Sequence, residues 1–130
     1  MNGAIRVVLA EDHTIVRAGL RAYLANLPHV AVVAEARDGR EVLELVQEHR
    51  PDVVMMDLSM PGLGGLDVLQ LLREDAATRH VRVLVVSAVE LARLDEAVQR
   101  GADAALQKPV DDDRLLAKVQ SMLHLQAAAG

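Results

Sequence analysis

A chain of 130 residues with 52% apolar content is the size of one domain and can build a proper core. Its net charge of -5, from 14 basic and 19 acidic residues, gives no electrostatic footprint for nucleic acid or an anionic membrane. The absence of cysteine excludes a disulfide framework, a thiolate metal site and a Cys nucleophile, and a single aromatic, Tyr23, removes most means of stacking a base or a flavin. The residues from Met1 to Ala4 lead directly into an apolar run without a signal-peptide layout. No stretch approaches the roughly 20 apolar residues of a membrane helix, so a cytoplasmic protein is expected.

Short apolar runs alternate with stretches of helical period, the pattern of parallel strands joined by crossover helices. Ile5–Ala10 reads as the first strand, and Val16, Leu20, Tyr23 and Leu27 follow at helical spacing. After a second run, Val30–Ala36, Asp38-Gly39 turns into a helix marked by Val42 and Val46, with Pro51 beyond its end. Val53–Met56 is apolar at every position, as expected of a strand covered on both faces. Val81–Val86 is the fourth run; Leu91, Leu94 and Val98 mark the next helix, and Gly101 stands where a C-cap belongs. Ala104–Leu106 is the fifth run. Asp111, Asp112 and Asp113 can then cap and charge a last helix carrying Leu115, Val119, Met122 and Leu123. The expected product is α/β: a doubly wound, five-stranded parallel sheet with helices on both faces. Residues 126–130 are expected to form a disordered tail.

In such sheets ligands bind outside the carboxyl ends of the strands. The first run ends in Glu11-Asp12, the third in Asp57, the fourth in Ser87 and the fifth in Lys108-Pro109. Each has an ordinary reading alone: Glu11 or Asp12 as a helix cap, Lys108 as a loop cation, Ser87 as uninformative. Asp57 next to Val54, Met55 and Met56 is harder to read as a surface charge. As a set they converge on one sheet edge. Three carboxylates there need a counter-charge, and all-oxygen ligands favour Mg²⁺. His13 is read as the start of the first helix rather than a ligand. Lys108 supplies a second cation for Asp57, and Ser87 a small hydroxyl donor.

This pattern resembles the receiver domain of two-component response regulators, with a flavodoxin-like (βα)5 three-layer sandwich, over residues 1–125. The motifs are Glu11-Asp12, the segment from Met56 through Asp57 and Ser59 to Pro61, Val86-Ser87-Ala88, and Gly101-Ala102-Asp103 leading to Lys108-Pro109. The segment from Glu11 to Leu20 is most similar to receivers that precede a helix-turn-helix DNA-binding domain. The resemblance implies Asp57 as phosphoacceptor, assisted by Lys108 and Ser87, with Mg²⁺ held by Glu11, Asp12, Asp57 and the Ser59 main-chain carbonyl. It implies a sensor histidine kinase, a phosphotransfer protein or a small donor such as acetyl phosphate as phosphoryl source. Its expected readout is a shift in the face of the fourth helix, fifth strand and fifth helix, through which homodimerisation stays open. A cis Lys108-Pro109 bond is expected to fix the lysine's approach. This domain itself is expected to touch neither nucleic acid nor membrane and to act as a phosphoacceptor rather than an enzyme.

Two positions depart from the family. Many receivers place Tyr or Phe three residues before the lysine; this chain has Ala105, which is expected to loosen coupling to the output face. Val89, two residues after Ser87, cannot position an attacking water, so slow hydrolysis is expected. The stretch from Ser87 to Gly101 is one residue shorter than common, which predicts a shortened or displaced fourth helix. Three rival readings remain. A flavodoxin-like cofactor domain lacks its phosphate-cradling loop. A haloacid-dehalogenase-type phosphatase would want Asp where Ser59 stands. A receiver-like interaction module would signal without phosphorylation.

Overall fold

A computed structural model describes residues 4–108 and the single positions 114, 117, 118 and 121. The elements follow in the order β1 (Ile5–Ala10), α1 (Thr14–Ala25), β2 (Val30–Ala36), α2 (Gly39–His49), β3 (Val53–Met56), α3 (Gly65–Glu74), β4 (Arg82–Ser87), α4 (Leu91–Gln99) and β5 (Ala104–Gln107). The strands form one parallel sheet in the order β2-β1-β3-β4-β5. The order reverses between β1 and β3, so a crevice opens at the carboxyl ends of those two strands. The expected fifth helix, its Asp111–Asp113 start, the Lys108-Pro109 bond and the 126–130 tail lie outside the described residues, apart from helical Arg114, Ala117, Lys118 and Ser121. Among the described residues no helix is long and apolar enough to cross a membrane.

Alternate strand residues face opposite sides, which divides the core in two. Val8, Val54, Met56, Val83 and Val85 pack under α2, α3 and α4, against Val42, Val46, Leu69, Leu72, Leu94 and Ala97. Val7, Leu9, Val53, Met55, Leu84 and Val86 form the second cluster with Leu24 of α1 and Leu106 of β5. Both faces of the central strands are therefore dry, as their unbroken apolar runs require. β4 and β5 each run one residue further than the apolar runs, because Ser87 pairs with Gln107 and the Lys108 amide donates to the Ser87 carbonyl at 2.8 Å. That extra rung carries Ser87 and Lys108 to the sheet edge.

Two helices sit differently from their apolar spacing. Leu94 and Ala97 centre the buried stripe of α4, which leaves Leu91 62% and Val98 47% exposed on its flanks. In α1 the fully buried residue is Leu24; Leu20 and Tyr23 are partly buried, and Val16 stands 39% exposed. The reason in both is that a helix packed on a strand buries a narrow stripe, about 100° wide.

Local signals set the boundaries. Asp38, in extended backbone, accepts a hydrogen bond from the Glu41 amide at 2.9 Å and caps α2, while Glu41 reaches back to the Arg37 amide at 2.7 Å. Asp38→Ala should destabilise the domain by about 1 kcal/mol in urea unfolding, and an unchanged midpoint would contradict the cap. At α4's end Gly101 has φ +119, and the Ala102 amide reaches the Ala97 carbonyl at 2.9 Å. Arg73, in the last turn of α3, binds several groups there: Nε donates to the Gly101 carbonyl, Nη1 to the Arg79 and Val81 carbonyls, and Nη2 to Asp103. Asp103 in turn accepts from the Val83 amide at 2.7 Å.

Candidate functional site

The strand ladder places the polar residues. The Glu11 amide donates to the Ala36 carbonyl and the Asp57 amide to the Ala10 carbonyl, so both side chains leave the sheet at one level. After Asp57, Leu58 and Met60 turn into the core at 4% and 7% exposure and fix the loop. Gly65 at the start of α3 lies against that loop; a Cβ there would stand 2.7 Å from Leu58 Cα and 3.0 Å from the Asp57 carbonyl oxygen.

Asp57 is 5% exposed and Glu11 1% exposed, a depth at which an ionised carboxylate needs a partner. Asp57 Oδ1 accepts from Ser87 Oγ at 2.6 Å and from the Ser59 amide at 2.9 Å. Asp57 Oδ2 accepts from Lys108 Nζ at 2.9 Å. The same Nζ donates to Glu11 Oε1 at 2.6 Å, so one ammonium bridges two buried carboxylates. Glu11 Oε2 faces His13, accepting from its amide at 3.1 Å and lying 2.9 Å from its Nδ1. Arg17 donates from Nη1 to the Glu11 carbonyl at 2.7 Å and pairs through Nε with Glu35 at 3.2 Å, pinning this turn to β2. Asp12 Oδ1 is buried without a hydrogen-bond partner, 3.2 Å from His13 Nδ1.

Burial acts to raise the Asp57 carboxyl, but the Ser59 amide, the Ser87 hydroxyl and Lys108 outweigh it and hold the carboxyl below its ordinary range. Lys108 is the mirror case. Desolvation pulls it down, and the hydrogen bonds it donates to Glu11 and Asp57, with the charges of those carboxylates, hold it above the ordinary lysine range. The stabilisation from Asp57 is therefore complete above the unfolded carboxyl value of about 4 and is lost as pH falls through the lower folded value. That from Lys108 is complete below about 10 and is lost as pH rises through the raised folded value. Ser87→Ala removes a donor from Asp57 and raises its folded value, so the acid loss of stability, which still begins near the unfolded value, should be smaller and end at higher pH than in the unaltered chain. Unfolding midpoints measured across the acid range check this, and superimposable profiles would refute it.

Glu11, Asp57, Ser59, Ser87 and Lys108 are thus in direct mutual contact, and Asp12 lies beside Glu11 and His13. Buried carboxylates joined by a cation, with an orphaned carboxylate oxygen next to them, suit a hard divalent ion and a phosphoryl group. Arg17 carried no sequence signal of its own, since its spacing matches any surface arginine of a helix. The model of the response regulator receiver domain matches residues 7–120.

The chain belongs to the response regulator receiver family. It is 37% identical over 124 residues to the nitrate/nitrite response regulator protein NarL of Escherichia coli (strain K12), covering 95% of this chain and 55% of that protein. It is 37% identical over 129 residues to a protein-glutamate methylesterase/protein-glutamine glutaminase of Paramagnetospirillum magneticum, covering 90% of this chain and 36% of that protein. The receiver domain of the response regulator NarL from Mycobacterium tuberculosis has the same fold, with a TM-score of 0.84 at 36% identity over 92% of this chain and 96% of that one. This receiver therefore spans about half the length of curated relatives such as NarL. Relatives of such different names place the shared part in the receiver and the differences beyond it.

Proposed function

We propose that this receiver, over residues 1–125, accepts a phosphoryl group on Asp57 from a sensor histidine kinase, a phosphotransfer protein or a small donor such as acetyl phosphate. The observation that carries this reading is a buried carboxylate kept ionised by Ser87 and Lys108 at the end of β3. An ionised Asp57 oxygen attacks phosphorus, a P–O bond forms to it, and the bond to the donor's nitrogen or oxygen breaks with its electron pair. Lys108 and Ser87, already on the two Asp57 oxygens, then supply donors to the phosphoryl oxygens. Glu11, Asp12, Asp57 and the Ser59 carbonyl would hold Mg²⁺, and the unsatisfied Asp12 oxygen supports that fit. When bound, the ion neutralises charge on the phosphoryl oxygens.

The domain is a phosphoacceptor that assists its own phosphorylation and slow dephosphorylation, without turnover of an external substrate. It works in the cytoplasm, touches no nucleic acid or membrane itself, and serves a transcription-regulating output of the kind a helix-turn-helix domain provides. The switch surface is α4, β5 and the helical positions beyond. Ala105, packed against the core on that side, has no ring to rotate, and the Val89 side chain packs into the same core. Both support loose coupling and a long phosphoryl lifetime. On beryllofluoride addition, amide shifts should stay strongest around Asp57 and Ser87 and fade towards α4; full propagation into α4 and β5 would contradict loose coupling.

Intact mass after acetyl phosphate, with and without Mg²⁺, tests the central reading. One added phosphoryl group is expected on the unaltered chain with Mg²⁺ and none on Asp57→Ala. Equal labelling of both would overturn it.

A further inference from the structure

The connection from β4 to α4 is fastened to the end of β5 at two points. The Lys108 amide donates to the Ser87 carbonyl at 2.8 Å, and two residues further along the connection the Val89 carbonyl accepts from Gln107 Nε2 at 3.1 Å. Gln107 pairs with Ser87 in the ladder, beside the hydroxyl that sits on Asp57. Side chains alternate along a strand, so Gln107 shares the face of Ala105, which packs against the α4 side of the core. Alanine leaves that face with a short side chain, and the Gln107 carboxamide crosses it to the connection. Local support there is thin: Ala88 is exposed, and Glu90, the N-cap of α4, makes no side-chain cap hydrogen bond. Val89 itself is partly buried against the core. The peptide unit is planar, so holding the Val89 carbonyl restricts the ψ rotation of that residue and with it the side chain's place.

We infer that Gln107 is a positioning residue for loss of the phosphoryl group from Asp57: its bond to the Val89 carbonyl keeps an apolar side chain where an attacking water would need a partner. The inference deepens the phosphoacceptor reading and rests on it. In hydrolysis a water oxygen bonds to phosphorus, the bond from phosphorus to the Asp57 oxygen breaks with its electron pair, and the water's proton leaves with inorganic phosphate. The isopropyl group of Val89 has neither donor nor acceptor to orient that water. With the tether cut, the connection opens and its peptide groups become available to bind water.

Loss of label from the whole chain, followed by intact mass in Mg²⁺ after acetyl phosphate is removed, tests this. Gln107→Met keeps the length of the side chain and lacks the donor. It should shorten the phosphoryl lifetime by roughly two- to tenfold, the range that one neutral hydrogen bond sets, while the initial labelling rate stays within about twofold of the parent. A tether that works through Val89 has nothing left to hold once that side chain is gone, so Gln107→Met should add no acceleration on a Val89→Ala background. Gln107→Leu should match Gln107→Met and takes its place if the methionine variant folds poorly. An unchanged lifetime would overturn the inference. So would equal acceleration on both backgrounds, or a labelling rate that falls as far as the lifetime, either of which makes Gln107 a general support of the sheet edge. These results leave the phosphoacceptor reading standing; if the unaltered chain takes no label, that reading falls and the inference falls with it.

Discussion

Lys108→Ala is expected to destabilise the metal-free domain by about 2–4 kcal/mol and to slow phosphorylation of Asp57 severely. The ammonium donates to Glu11 at 2.6 Å and to Asp57 at 2.9 Å, and those carboxylates are 1% and 5% exposed. A hydrogen bond to a charged group contributes about 1.5–3 kcal/mol, and removing one partner of a buried pair leaves the other charge uncompensated. Water following the vacated lysine stem, itself 21% exposed, offsets part of that cost. With Lys108 gone, Asp57 loses two of the influences that hold its carboxyl down, so its folded value should rise. The added negative charge should make the site bind Mg²⁺ more tightly, so saturating Mg²⁺ restores stability by mass action. Phosphorylation should not recover with it, because the second cation on the phosphoryl oxygens is missing. Urea unfolding in chelator and in Mg²⁺, beside acetyl phosphate labelling, reads these effects; a variant as stable as the parent in chelator would refute the bridging role.

The second large effect is expected at Gly39, far less conspicuous than any charged residue. It opens α2, and a Cβ there would lie 2.2 Å from the Leu63 carbonyl oxygen and 2.7 Å from Val68 Cγ2. The first neighbour is backbone and cannot swing aside, so α2 or the loop of residues 61–64 has to move. Gly39→Ala should therefore cost about 3 kcal/mol, the upper part of the range for overpacking. The shift should travel along the chain from Leu63 to Asp57 and appear in the amide resonances between them. Gly64→Ala is the control: it has an ordinary φ of -73 and nothing within 4 Å of a built Cβ. That exchange should stay within about 0.5 kcal/mol. Equal unfolding midpoints for the two variants would show that α2 and the loop separate easily.

The sheet was readable from residues because Val53–Met56 and Val83–Val86 are apolar on consecutive positions, and a strand wetted on one face would alternate. Asp57, Ser87 and Lys108 were readable because each follows such a run, where the chain leaves the sheet at a predictable edge. Rotation of short helices was not. Leu91, Leu94 and Val98 share a helical spacing, yet Ala97 takes the inward place beside Leu94. A small residue that lets α4 approach closely leaves no hydrophobic signal to distinguish it from a surface alanine. Contacts made at a distance in sequence were hidden too. His13 was read as a helix start, which it is, but its ring's return to Glu11 depends on a backbone turn that composition does not encode.

Arg73 gives the far end of the sheet a different character from the acidic edge. Its guanidinium fastens the close of α3, the approach to β4 and the turn after α4 to one another. α4 is thus anchored at its rear and begins, at its front, only a few residues after Ser87. Whatever movement of Ser87 does reach such a helix is confined to its front turn, at Leu91, the most exposed large apolar side chain of α4, and stops short of Gly101, which the guanidinium holds.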